Sequence, residues 1–345
     1  MKITNQLTFL FILFIGSILR FYNYVEIPFT HDEFSALFRL NFDSFSELIE
    51  KGVKVDGHPA GVHVFLYYWT KVFGSSEWIV KLPFTIFGIV SIWIIYLIGK
   101  KWFNETVGLI SAAFIASIQF TVIYSQIARP YISGMFFSLI MVYYWTLIIK
   151  TSEKNFFKNI CLFVLASTIC AYNHHFSLLF AVIVGLSGLF MIQKKYTLKY
   201  IISGLLIFML YIPHLGIFFY QLNIGGIGGL DGWLGKPTND FIIQYIWYIL
   251  NFSTLSIVMT LSIIAFGINK SKLIIKDLNK HLLFIIWFIL PFLIGFYYSK
   301  YINPVLQFSI LIFCLPYLFF LLFGHFKLQS PKVNLLIITI IMGVN

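Results

Sequence analysis

Apolar runs of roughly 16 to 25 residues recur along the whole chain, and each can cross a hydrocarbon core about 30 Å thick. No other property limits the fold as much. The 345 residues would hold two soluble domains by length, but 59% are hydrophobic and 11% charged. Backbone groups in lipid must be satisfied within their own segment, so the runs are read as helices. The expected spans are 7–23, 80–99, 105–124, 131–149, 159–174, 176–192, 198–220, 241–267, 281–298, 304–323 and a last one from 333. The fold class is an all-α polytopic membrane protein, a bundle of about eleven transmembrane helices in one membrane domain over 1–345.

The net charge of +11 would point to nucleic acid in a soluble protein. Here the lysines sit in short clusters between apolar runs, which is the pattern of cytoplasmic loops, so no nucleic-acid partner is expected. With the N-terminus inside, Lys2, Lys100, Lys101, Lys150, Lys154, Lys158, Lys194, Lys195, Lys199, Lys270, Lys272, Lys276, Lys280, Lys327 and Lys332 share the cytoplasmic side. Of the 13 acids, Glu105, Glu153 and Asp277 join them and the rest lie outside. Acids contribute little to topology, so their bias points to function on the outer face. Residues 59–73 are short for a crossing, and counting them as one would invert every later lysine cluster. They are placed as an interfacial helix on the outer face.

The first outer loop then runs over 24–79. Thr30-His31-Asp32-Glu33 matches a capping box, and Ser44-Phe45-Ser46-Glu47 a second. Gly52 and Gly57-His58-Pro59 break the chain, giving short amphipathic helices on the membrane surface. A second outer loop, 221–240, is rich in glycine (Gly225, Gly226, Gly228, Gly229, Gly232) but holds no G-x-G-x-x-G. Cys161, Cys170 and Cys314 fall inside apolar runs and are read as packing residues. The apolar stretch Leu7–Leu19 has no A-x-A-like site after it and reads as an uncleaved first span.

Polar residues gather at the outer ends of the spans. Arg20 ends the first span, Asp32 and Glu33 follow it, and His58 precedes the interfacial helix. Tyr124-Ser125-Gln126-Ile127-Ala128-Arg129-Pro130-Tyr131 joins spans three and four. Tyr172-Asn173-His174-His175 turns between spans five and six, and Lys300-Tyr301 joins spans nine and ten. Adjacent histidines chelate poorly and no third spaced ligand joins them, so no metal site is expected.

In this order of motifs the chain resembles the GT-C glycosyltransferases of the dolichyl-phosphate-mannose-protein mannosyltransferase and aminoarabinose transferase superfamily, in the bacterial glycosyltransferase 39-like branch. The resemblance covers roughly residues 5–325. Ile127 stands where many relatives have Glu, Lys300 where they often have a cation beside the proline, and the chain stops at Asn345, earlier than most relatives. A shortened member and a piece of a longer chain are both open.

The resemblance implies a polyprenyl-phosphate-linked sugar donor, transfer with inversion to a lipid, glycan or protein acceptor on the periplasmic or extracellular face of the cell membrane, and service to the acceptor by Asp32. This branch is expected to work without a cofactor, although a divalent cation on Asp32 is possible in the wider architecture. Such a reaction needs a base for the acceptor hydroxyl and cations for the developing phosphate charge. Asp32 is the candidate base, with Glu33 beside it as a second catalytic candidate whose capping box also explains it structurally. Arg129 is the first candidate for phosphate, because a guanidinium binds phosphate through two donors. His58, Tyr124, Gln126, His174, His175 and Lys300 are further substrate-binding candidates. Two other readings stand beside the enzyme: a transporter or flippase of a lipid-linked saccharide, and a non-catalytic relative. A transporter should carry ionisable groups near mid-membrane. Here they collect at one face.

Overall fold

Thr4 opens the first helix, α1 (Asn5–Phe21), by accepting the Leu7 N–H on its hydroxyl. The structure is a computed structural model and describes residues 4–150, 155–224, 234–270 and 278–345. Lys2, Glu153, Lys154, Lys272, Lys276, Asp277 and the glycines at 225, 226, 228, 229 and 232, on which part of the topology and the Gly-rich loop rest, lie outside the described residues.

After α1 come α2 (His31–Phe38), α3 (Phe45–Glu47), a π turn over Leu48–Val53, and α4 (Ala60–Phe73). The long helices follow: α5 (Glu77–Trp102), α6 (Glu105–Ser117), α7 (Gln119–Ser125), α8 (Pro130–Ile149), α9 (Phe156–Asn173), α10 (His175–Leu189), α11 (Thr197–Tyr211) and α12 (Leu215–Asn223). The chain closes with α13 (Phe241–Ile249), α14 (Thr254–Lys270), α15 (Leu278–Tyr301), α16 (Leu315–Phe323) and α17 (Pro331–Val344). Among the described residues there is no strand, in keeping with the all-α expectation.

The apolar segments fall where the hydropathy puts them, but not all are single straight helices. Among the described residues five are long and apolar enough to cross a membrane: Glu77–Trp102, Pro130–Ile149, Phe156–Asn173, Lys194–Asn223 and Asn279–Tyr301. Three more, Asn5–Phe21, His175–Leu189 and Pro331–Val344, are shorter apolar helices. The expected span 105–124 bends by 61° between α6 and α7, and 241–267 by 89° between α13 and α14. The second break falls at Asn251 and Phe252, whose φ angles of 60° and 51° no helix accommodates. The run 304–323 begins irregularly, passes through a 3₁₀ turn over Ser309–Phe313, and becomes α16. Hydropathy measures what lipid or core accepts, and a bent pair scores as well as a straight helix.

The bend at Ile118 has an identifiable partner. Ending α6 at Ser117 leaves its last carbonyls without helical donors. Arg20, wholly buried, donates to the Ile115 and Ala116 carbonyls at 2.8 and 2.9 Å, and its Nε donates to Ser125 Oγ at 3.1 Å. Arg20 therefore ties α1 to the α6–α7 bend. Gly88 of α5 makes room for this knot, since a Cβ there would sit 2.1 Å from Ser125 Oγ.

The capping box at Thr30 forms in both directions, with Thr30 Oγ1 accepting the Glu33 N–H and Glu33 accepting the Thr30 N–H. At Ser44 the hydroxyl accepts the Glu47 N–H, but the turn continues as a π turn and not as an amphipathic helix. The 59–73 segment is helical as expected, with Ala60, Val62, His63, Leu66 and Tyr67 turned inward against α9, α5 and the π turn.

Candidate active site

Proline positions the first side chains. A residue before proline is held extended, so it leaves the helix axis. Arg129 is the extended N-cap of α8, whose first residue is Pro130, and His58 precedes Pro59 at the start of α4. Both turn toward Asp56. His58 Nδ1 lies 2.9 Å from Asp56 Oδ1 and His63 Nε2 lies 3.1 Å from Oδ2. Arg39 Nε is 3.5 Å and Arg129 Nη1 3.9 Å from Oδ2. Arg129 Nη2 also lies 2.9 Å from His58 Nδ1. Its Nε and Nη1 are buried and, among the described residues, have no hydrogen-bond partner.

His174 joins this cluster, its ring centre 5.2 Å from that of His58. Its Nδ1 accepts the Phe176 N–H at 3.0 Å, which leaves Nε2 as the proton-bearing nitrogen of the neutral ring. Asn173 braces the turn, donating to the Pro130 carbonyl and accepting from Ser133 Oγ. The Tyr131 ring lies to one side of this pair, 6.3 Å from His58 and 6.2 Å from His174, with Tyr124 edge-on to it at 5.0 Å.

The electrostatics follow from burial and pairing. Burial pushes the Asp56 carboxyl up, but the His58 and His63 rings at hydrogen-bond distance outweigh it and hold it well below the usual carboxylate range. Burial, then the Arg129 charge, lowers His58, with Asp56 opposing. His174 lies well below its ordinary value, chiefly through burial.

The other sequence candidates divide. Asp32 is exposed at the first turn of α2, next to Glu33, whose carboxylate binds the Ala128 N–H in the loop that carries Arg129. Glu33 is fully buried and accepts from Thr30 N, Thr30 Oγ1 and Ala128 N at 2.9, 3.0 and 2.8 Å. Every carboxylate oxygen has a structural partner. Gln126 donates to the Arg20 and Tyr22 carbonyls and so caps α1. His175 pairs with Gln221, which donates to the Val53 and His58 carbonyls and staples the segment carrying Asp56. Lys300 meets Asn239 Oδ1 at 2.9 Å. Sequence reading passed over Asp56, His63 and Arg39. Its one available signal was an acid two residues before His58, in a loop that otherwise read only as a chain break.

Two hollows flank the site. A cavity of about 690 Å³ lies against α2, lined by His31, Phe34, Ser35, Phe38, Arg39 and Lys51 among others. An apolar cleft of about 360 Å³ runs between α4, α5, α8 and α9, past Phe65, Phe84, Phe87 and Phe137, to Asn173.

Residues 57–217 match the family model described as dolichyl-phosphate-mannose-protein mannosyltransferase. His58, Tyr124, Gln126, Arg129, His174 and His175 fall inside the match; Asp32, Asp56 and Lys300 do not. No curated protein matches the chain by sequence. Among solved structures the fold is similar to ArnT from Cupriavidus metallidurans in the apo state, with a TM-score of 0.63 at 9% identity, covering 94% of this chain and 60% of that one. The same enzyme bound to undecaprenyl phosphate aligns with a TM-score of 0.61 at 10% identity and the same coverage. The chain thus spans 60% of the length of these structures, and at such identity the likeness is one of fold.

Proposed function

We propose a membrane glycosyltransferase of the GT-C, glycosyltransferase 39-like type that moves a sugar from a polyprenyl-phosphate donor to an envelope acceptor on the periplasmic face, with inversion; the family-model match over 57–217 and the fold likeness support the reading. The carrying observation is Arg129, buried beside Asp56, His58 and His174 with two nitrogens that make no hydrogen bond among the described residues. A buried cation with idle donors suits an anion with several acceptor oxygens, and phosphate is that anion. Binding of undecaprenyl phosphate to the structurally similar ArnT supports the choice. The apolar cleft ending at Asn173, next to His174, suits the isoprenoid chain.

In this reading Asp32, exposed at the edge of the site, accepts the proton of the acceptor hydroxyl. The hydroxyl oxygen attacks the anomeric carbon from the side opposite the phosphate, a new C–O bond forms, and the bond from that carbon to the phosphate oxygen breaks. Arg129 and the His174 Nε2–H stabilise the charge that develops on the departing lipid phosphate, fixed before the reaction and so without reorganisation. In this reading the base and the phosphate contacts are protein side chains. The N-terminus is cytoplasmic, following the lysine distribution.

The test is complementation. The gene is deleted in the source cell, wild type or Asp32→Asn is restored at equal membrane abundance, and envelope glycans are compared by mass spectrometry. Loss of one sugar in both the deletion and Asp32→Asn is expected, and the missing mass names the sugar. A wild-type glycan profile with Asp32→Asn refutes the assignment of the base.

A further inference from the structure

His58 Nδ1 has two partners at the same distance, Asp56 Oδ1 and Arg129 Nη2, each at 2.9 Å. In its ring plane a nitrogen carries either a proton or a lone pair, so it serves one neighbour at a time. With the proton on Nδ1, His58 donates to Asp56 and turns an N–H toward the Arg129 N–H. With the lone pair there, it accepts from Arg129 and faces the Asp56 oxygen lone pair to lone pair. The triangle is satisfied once Arg129 leaves it.

Arg129 has a reason to leave, since Nε and Nη1, which make no hydrogen bond among the described residues, gain more from an anion with several oxygens than Nη2 has from one ring nitrogen and Nη1 from Asp56 at 3.9 Å. Asp56 stays, anchored by His63 at 3.1 Å and Arg39 at 3.5 Å. We propose that Asp56 is a positioning residue for the donor phosphate: without donor, His58 Nδ1 accepts from Arg129, and when phosphate engages Arg129 the ring carries its proton on Nδ1 and donates to Asp56. This rests on the reading of Arg129 as the phosphate contact. The ring stays neutral, with one proton leaving Nε2 and one arriving at Nδ1 by exchange with water. Burial and the neighbouring guanidinium both disfavour the charged ring, which agrees with that neutrality. The other ionisable groups around it are Arg39 at the end of α2, His63 on α4, Tyr131 on α8 and His174 between α9 and α10.

The experiment uses the full chain in lipid nanodiscs, labelled with ¹⁵N-histidine, and a short-chain polyprenyl phosphate as probe. The His58 signal is assigned by its loss in His58→Gln. Without probe, Nδ1 is expected at the shift of an unprotonated nitrogen; at saturation, at that of a protonated one. An Nδ1 that stays unprotonated with the phosphate bound overturns the proposal. Asp56→Asn gives a second reading, because its carboxamide can donate to Nδ1 and hold it as an acceptor. The probe's Kd should rise about tenfold or more, with partial recovery in Asp56→Glu, and an unchanged Kd in folded Asp56→Asn overturns the role. If Arg129→Ala binds the probe as tightly as wild type, the phosphate reading itself fails and takes this proposal with it. If Arg129→Ala loses binding while His58 keeps one tautomer throughout, this proposal alone fails.

Discussion

The Glu33 carboxylate accepts the backbone N–H of Ala128 at 2.8 Å, across a separation of 95 residues. One oxygen thereby fixes the start of α2, which carries Asp32, against the loop that carries Arg129. The other oxygen accepts from Thr30 N and Thr30 Oγ1. The distance between the candidate base and the candidate phosphate contact depends on this buried acid.

Glu33→Gln is therefore expected to act on stability first. Its amide turns a donor toward groups that are themselves donors, and a buried unsatisfied group costs about 1–3 kcal/mol. Thermal denaturation of the purified protein should show a lowered midpoint. A midpoint equal to wild type, with activity lost, would move Glu33 into the chemistry.

Asp32→Asn should leave the midpoint unchanged, because Asp32 is exposed on the first turn of α2. Transfer from a defined donor should fall by about 10²–10⁴, the usual contribution of a positioned base. A loss below about threefold would reject the role.

Arg129→Ala should raise the donor KM and lower kcat together, since Arg129 holds phosphate before and during departure. Arg129→Lys should recover only part of the activity, because an ammonium cannot offer a planar pair of donors. Full recovery with lysine would mean that charge alone matters there. Steady-state kinetics at varied donor concentration separates the two outcomes.

Gly61→Ala tests how the site depends on helix packing. A Cβ at Gly61 would sit 2.5 Å from the Tyr172 carbonyl oxygen, a backbone atom that cannot step aside alone. Helix α4 must shift from α9, carrying His58 and His63 away from His174. Activity is expected to drop at least about tenfold with the protein still in the membrane, an overpacking cost of about 1–3 kcal/mol. Wild-type activity in Gly61→Ala would show that the site tolerates a displaced α4.

Acid should destabilise the protein through its buried histidines. His58 and His174 have folded pKa values below the ordinary one, so between those values and about 6.5 the unfolded chain binds protons that the folded chain refuses. Their contribution is present above pH of about 6.5 and is lost as pH falls below it. Asp56 is likewise depressed; its contribution is present above about 3.9 and lost only in stronger acid. Melting temperatures should thus fall from pH 7 to pH 5, and His174→Gln should flatten the slope. A midpoint that rises over that range contradicts the assignment.

The Tyr124–Tyr131 motif shows how much was legible and where legibility stops. Its place between two apolar runs, and the candidacy of Arg129, could be read along the chain. Its division of labour could not. Ser125 binds Arg20, Gln126 caps α1, Ala128 meets Glu33, and Arg129 reaches His58, and each partner is more than 70 residues away. Asp56 escaped notice for the same reason. In sequence it is one acid in an acidic loop; in space it is where His58, His63, Arg39 and Arg129 meet.

The sequence by itself determined the helical class, the positions of the apolar segments and the first capping box, because hydropathy and local hydrogen bonding act over a few neighbouring residues. The tertiary structure decided which helices bend, which polar residues are structural and which are left with idle donors. A buried polar group is defined by its partners, and here those partners come from helices that the chain reaches only after crossing the bundle again.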